Sequence, residues 1–284
     1  MKKSFFLFFI LQANILLSKE IIVCGTCEVT SVKTAVEQAV DGDVIRIKEG
    51  IYKEYDIKII NKSIKIIGEN YPVIDAGMNG TAMSIQADNF TVEGLEIRNI
   101  GKSHTKEFSA ILIANSNNFH VKDNRLKNVF FGLLIEKSTK GNITGNKIES
   151  NAQSQDNSGN GIHLWHSNNI NVSGNHVSGT RDGIYLEFAG NTTISKNVCI
   201  NNLRYGLHFM FSNNNKYLDN IFESNGAGVA VMFSKNIEMY RNHFRKSWGS
   251  ASYGLLLKEI NDAELKHNVF DSNTIAISAD GTNR

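Results

Sequence analysis

Four runs, Gly161-Ile-His-Leu-Trp-His-Ser167, Gly183-Ile-Tyr-Leu-Glu-Phe-Ala189, Gly206-Leu-His-Phe-Met-Phe-Ser212 and Gly228-Val-Ala-Val-Met-Phe-Ser234, superpose residue for residue, their glycines 22, 23 and 22 positions apart. A fixed period of this length over several copies marks stacked repeats. Within each run the positions one and three after the glycine are aliphatic or Phe (Ile162/Leu164, Ile184/Leu186, Leu207/Phe209, Val229/Val231), while those two and four after it are mixed. That period of two describes a strand with one face inward and one outward.

A second marker recurs between the strands at Asn124, Asn146, Asn175, Asn197, Asn220, Asn242 and Asn268, with spacings of 22, 29, 22, 23, 22 and 26. The longest interval holds the polar insertion Gln153 to Ser158. An apolar residue stands three places before and two places after each of these asparagines. Each coil therefore holds several short strands separated by bends. Asn tolerates left-handed backbone and its amide can bond its neighbours, so stacked coils should carry asparagine ladders. The sequence predicts an all-β chain, a right-handed parallel β-helix of about eight to ten coils. The interval from Gly228 to Gly254 is 26, which predicts a loop over Lys246 to Ser250 that includes Trp248.

The 284 residues carry a single proline, Pro72, as suits a chain built on ladder hydrogen bonds. A net charge of +2 excludes the dense basic surface of a nucleic-acid binder. Lys2 and Lys3 precede the apolar run Phe5 to Leu17, which is shorter than the roughly 20 residues a membrane-spanning helix requires. The layout reads as a secretory signal peptide over residues 1–19, with a membrane anchor as the competing reading. Residues 20–50 are expected to form an N-terminal cap. Val32, Ala35, Val36, Ala39 and Val40 follow a helical period after Thr30 or Ser31, and such a helix would cover the first coil. The repeat domain then fills 51–284 and stops within a coil, which leads us to expect a fragment of a longer protein.

Cys24 and Cys27 form a C-x-x-C pair that reads as a disulfide or as half of a soft-metal site. Cys199 falls in an inward column and reads as core. Glu136, Glu187 and Lys258 share an outward column, the two carboxylates two rungs apart at roughly 4.8 Å per rung. That separation is at the loose end for a glycosidase pair, and solvated charges bridging between rungs are the simpler reading. Arg181 and Arg204 occupy equivalent places two before their glycines, where they would bind a partner's carboxylate or brace the turn.

The outward set differs in kind. His163, Trp165, His166, His208, Met210 and Met232 gather imidazole and thioether groups on neighbouring rungs, and such donors suit Cu(I). His208, Met210 and Met232 form the expected core of a site with two sulfur donors and one nitrogen donor, with His163, His166 and Glu187 as neighbours. A protein-docking surface is the alternative for a Met-rich patch.

The blocks Thr180-Arg-Asp-Gly-Ile-Tyr-Leu-Glu187, Leu203-Arg-Tyr-Gly-Leu-His-Phe-Met-Phe-Ser212 and Gly228-Val-Ala-Val-Met-Phe-Ser234 resemble the core of the NosD family. The resemblance implies a pectin-lyase-like solenoid working in the periplasm as a non-enzymatic maturation factor for nitrous oxide reductase. It implies copper as the bound metal. The implied partners are the reductase and an ABC transporter permease and ATPase, with a copper chaperone as a further candidate and membrane contact only through these partners. Arg181, Arg204, Trp165 and Tyr185 are the candidate partner contacts. The Cys24/Cys27 pair lies outside the family pattern, and the chain stops short of the family's usual C-terminal coils. The competing class is a carbohydrate-binding or polysaccharide-cleaving β-helix.

Overall fold

The structure, a computed structural model, describes residues 18–248 and 252–283. The expected signal peptide, apart from Ser18 and Lys19, and Gly249 and Ser250 of the expected loop lie outside the described residues. Each coil contributes strands to three faces. The glycine runs form the first, as in Phe131–Glu136, Ile162–Trp165, Asp182–Glu187 and Tyr205–Met210. The second contains strands such as Asn117–Lys122, Asn171–Ser173 and Thr193–Ser195. Ten short strands from Ile51–Tyr52 to Val269–Asp271 make the third. Hydrogen bonding joins the first two faces into one 19-stranded sheet, and the third is a separate 10-stranded sheet. All the strand pairs are parallel, and the stack amounts to about 11 turns, slightly more than the sequence period suggested.

Apolar side chains fill the interior in columns. Ile162, Ile184, Leu207 and Val229 stack in one, and Val177, Cys199, Phe222 and Phe244 in another, all fully buried. Cys199 is thus core, and burial pushes its thiol pKa up.

The glycine column has a steric cause. A Cβ added at Gly132, Gly183 or Gly228 would lie 2.4, 2.5 or 2.3 Å from the carbonyl oxygen of the glycine one coil on. Real carbon–oxygen contacts never come so close, so the rungs can stack at this corner only without a side chain. Gly183→Ala is expected to cost roughly 1–3 kcal/mol, the usual penalty of overpacking. Urea denaturation followed by circular dichroism measures it, and an undiminished midpoint would mean that the corner can open.

The asparagine ladder is present, though its backbone differs from the expectation. The left-handed residue is the one before each asparagine: Asp123 (φ 54), Gly145 (φ 66), Gly174 (φ 65), Lys196 (φ 55), Asp219 (φ 57), Arg241 (φ 55) and His267 (φ 57). The asparagine itself turns its amide into the stack. Asn175 Nδ2 donates to Asn197 Oδ1 at 2.9 Å, and Asn197 Nδ2 donates to Asn220 Oδ1 at 3.1 Å.

The helix at the N-terminal end spans Val32–Gln38 and buries Val32, Ala35 and Val36. Ser31 Oγ caps it by accepting from Thr34 N (3.2 Å), and the Glu54 carboxylate accepts from Val32 N (2.9 Å) and Lys33 N (2.8 Å). These bonds satisfy N–H groups that the first helical turn leaves free. Cys24 and Cys27 form a disulfide just before it.

Candidate functional site

On the outer side of the first face, three columns run along the stack. Leu134, His163, Tyr185, His208 and Ala230 occupy the position two after the glycines. Glu136, Trp165, Glu187, Met210, Met232 and Lys258 occupy the position four after. At the corner beyond, His166, Phe188, Phe211 and Phe233 take up left-handed backbone (φ 47, 51, 50 and 51). The alternation thus places Met210 beside Met232 in one column and His208 two positions from Met210 on one strand, as expected.

The sequence reading treats His163, Tyr185 and His208 as surface groups, and the structure corrects this. They are only 6%, 9% and 4% exposed. Ring centroids lie 6.0 Å apart from Phe131 to His163, 4.7 Å from His163 to Tyr185 and 4.7 Å from Tyr185 to His208, while Tyr205 approaches His208 at 4.9 Å. One ring per rung leaves no gap for water between them, so the column becomes a second apolar layer outside the sheet. Tyr185 is therefore withdrawn from partner contact. Burial raises its phenol pKa to about 12, and its hydroxyl reaches Met210 Sδ at 3.8 Å.

His166 is corrected as well. It belongs to the corner column, where its ring stacks on Phe188 at 4.7 Å and meets Trp165 edge-on at 4.5 Å. The corner rings continue from Phe188 to Phe211 at 5.1 Å and on to Phe233 at 5.2 Å, each about two-fifths exposed. This ladder went unread in the sequence, although an aromatic residue five after each glycine was visible there.

Arg204 is not free to meet a partner. Its Nε donates to Asp182 Oδ1 at 2.8 Å and its Nη2 to Asp182 Oδ2, and Asp182 is fully buried. His208 Nδ1 stands 3.5 Å from the same Oδ2. Arg181 Nε instead donates to Asn160 Oδ1 at 3.2 Å. Trp165 is half-buried, with the Lys137 ammonium 5.2 Å from its ring centre.

Arg181 also lines a cleft of about 660 Å³ with Glu107, Glu136, Asp156 and Phe131. Burial, with the charges of Glu136 and Glu187, raises the Glu107 carboxyl, and burial raises that of Glu136. Among the described residues neither Glu136 nor Glu187 forms the rung-to-rung ion pair expected of it, whereas Lys127–Glu96 (2.7 Å) and Arg245–Glu223 (2.7 Å) on the third face do. Glu107 comes from a loop that matches no repeat, so no register pointed to it.

Among the described residues no cluster of three His, Cys, Asp or Glu is placed to hold a metal. The soft donors are another matter. Met210 and Met232 are half-buried neighbours, His208 Nε2 is buried without a hydrogen-bond partner, and both ring nitrogens of His163 are likewise unpartnered. Burial, reinforced by Arg181, holds the His163 pKa at about 3, so its imidazole is neutral. Uncharged nitrogen and thioether sulfur fit a soft monovalent ion and suit a hard, oxygen-seeking one poorly.

Fold and surface together define a parallel β-solenoid with a soft-donor patch on one outer face. Residues 150–284 match the family described as NosD, periplasmic copper-binding protein. A relative from Pseudomonas aeruginosa, named probable ABC transporter binding protein NosD, is 31% identical over 128 residues, 44% of this chain and 30% of that protein. One of the same name from Stutzerimonas stutzeri is 31% identical over 127 residues, 44% and 29% of the two chains. The matched part thus spans under a third of each relative. Among solved structures, the exopolygalacturonase of Yersinia enterocolitica superposes with a TM-score of 0.67 at 9% identity, covering 94% of this chain and 78% of that one. The Dettilon tailspike protein gives 0.64 at 12% identity, covering 88% and 54%. At such identities the likeness is one of fold. No helix among the described residues is long and apolar enough to cross a membrane.

Proposed function

We propose that this protein is a periplasmic, non-enzymatic accessory factor that holds Cu(I) as cargo during assembly of the copper centres of nitrous oxide reductase, alongside an ABC transporter permease and ATPase. The observation that carries the reading is the pairing of Met210 and Met232 across adjacent rungs, two strand positions from His208, whose Nε2 is buried without a hydrogen-bond partner, within the segment that matches a copper-binding family. Met210, Met232 and His208 would hold the ion, with His163 and Glu187 next to it. Thioether ligands bind Cu(I) without releasing protons and exchange readily with those of a donor such as a copper chaperone. The corner ladder of Phe188, Phe211 and Phe233, with Trp165 and His166 beside it, offers the partner an apolar surface.

Titration of the purified protein with Cu(I) against a competing chelator tests the reading. The Met210→Ala/Met232→Ala double variant is expected to bind at least roughly ten-fold more weakly, about 1.4 kcal/mol. Unchanged affinity would rule the site out, and failed reductase maturation in that same variant would then indicate docking. The raised carboxyls of Glu107 and Glu136 in a cleft favour a second reading, a polysaccharide-cleaving site. Incubation with acidic polysaccharides separates the two, since product formation lost on Glu136→Gln supports the enzyme.

A further inference from the structure

We infer that Asp182, clamped by Arg204, is a positioning residue that fixes His208 in the tautomer with the proton on Nδ1, leaving Nε2 as a bare nitrogen donor. The inference rests on the Cu(I) reading for its purpose, but its structural content stands apart from it.

The His208 ring has little freedom of its own. Tyr185 stacks on it at 4.7 Å with an interplanar angle of 20°, and Tyr205 lies at 4.9 Å. What remains undetermined is which nitrogen carries the proton. Two groups face Nδ1: Asp182 Oδ2 at 3.5 Å and Arg204 Nη2 at 3.4 Å. The first would accept a proton held on Nδ1, and the second would donate to a bare Nδ1 and so drive the proton to Nε2. Arg204 spends one N–H of Nε and one of Nη2 on the Asp182 carboxylate, and the second N–H of Nη2 faces Nδ1, so both tautomers find a partner on this edge and the other edge decides between them. Tyr205 N donates to Asp182 Oδ1 as well, at 3.3 Å. Oδ2 keeps acceptor capacity on the side of His208, and a bond from Nδ1–H to a carboxylate is charge-assisted. The two-pronged contact with Arg204 thus holds an acceptor oxygen on the Nδ1 side of the ring.

The opposite edge of the ring decides. Nε2 is buried and has no partner, so a proton there would be a buried donor with nothing to bond, a rare and costly state. With the proton on Nδ1, Nε2 is instead an acceptor awaiting a Lewis acid. A carboxylate behind an imidazole is how proteins commonly orient a histidine toward a metal, and losing such a carboxylate weakens binding by roughly 10–100-fold. Neither Asp182 nor Arg204 needs to touch the ion.

Nitrogen-15 NMR of the metal-free protein reads the tautomer directly. His208 is expected to show a protonated Nδ1 and an unprotonated Nε2, and the reverse pattern overturns the inference without any variant being made. Asp182→Asn can turn its amide toward Nδ1 and is expected to move the proton to Nε2. It should also weaken Cu(I) binding roughly 10–100-fold. Asp219→Asn, which breaks a comparable rung-to-rung pair with Arg241 at 2.7 Å, should leave both readouts unchanged. Cu(I) affinity and tautomer both unmoved in Asp182→Asn would reduce Asp182 to a structural brace. Wild-type protein that binds no Cu(I), but shows the Nδ1–H tautomer lost in Asp182→Asn, would instead sink the copper reading and leave the positioning intact.

Discussion

Asn197→Ala is expected to lower the stability of the solenoid by on the order of 4 kcal/mol, from a position that touches no candidate ligand. The Asn197 amide is fully buried and serves three coils. Its Oδ1 accepts from the backbone N and from Nδ2 of Asn175, both at 2.9 Å, and its Nδ2 donates to Val172 O at 2.9 Å and to Asn220 Oδ1 at 3.1 Å. Alanine leaves the Asn175 N–H, the Asn175 amide and the Val172 carbonyl without these partners in a region closed to water. Each abandoned buried group costs about 1–3 kcal/mol, and relaxation recovers part of the sum. Equilibrium unfolding in urea, followed by circular dichroism, measures the loss. A loss below about 1 kcal/mol would show that the ladder is redundant with the backbone hydrogen bonds around it.

That ladder was legible in the sequence because its residue type suits its chemistry: an amide accepts from one coil through its oxygen and donates to the next through its nitrogen. The left-handed corner before it was not legible. Asp123, Lys196, Arg241 and His267 hold it with no residue type in common, because an exposed corner that tolerates left-handed backbone makes few further demands. The first face divides in the same way. Period-two alternation places His163, Tyr185 and His208 on the outer side of the sheet, and they are there. Exposure is a different quantity, decided by what stacks one rung away. Four rings in succession, from Phe131 to His208, close over one another. Seeing that requires the register between coils as well as the pattern within one. The Asp182–Arg204 clamp depends on register too, since the two residues are 22 positions apart and meet only because Asp182 pairs with Tyr205 across the rung. Glu107 belongs to a loop outside the repeat, where no register exists to be read.

His163 links the buried ring column to pH. Burial, with Arg181 and His208 adding to it and Asp182 opposing, depresses its pKa to about 3, against about 6.5 in the unfolded chain. A depressed pKa means that the unfolded chain binds the proton more readily. The stability His163 permits is therefore fully present above about pH 6.5 and is lost as pH falls toward 3, by about 1.4 kcal/mol per unit and on the order of 4 kcal/mol across the window. His163→Phe keeps a ring between Phe131 and Tyr185 and removes the titration. Unfolding free energies of the two proteins, measured from about pH 8 down to about pH 4, are expected to lie close together at the upper end and to diverge below about pH 6.5, with the variant the more stable in acid. Other carboxylates and histidines titrate alike in both proteins, so the difference isolates this residue. Parallel curves would mean that His163 takes up a proton within the fold, and a cationic imidazole cannot donate to a metal. The neutrality that makes His163 an acid-sensitive point in the column is the same property that keeps it usable beside a Cu(I) site at neutral pH.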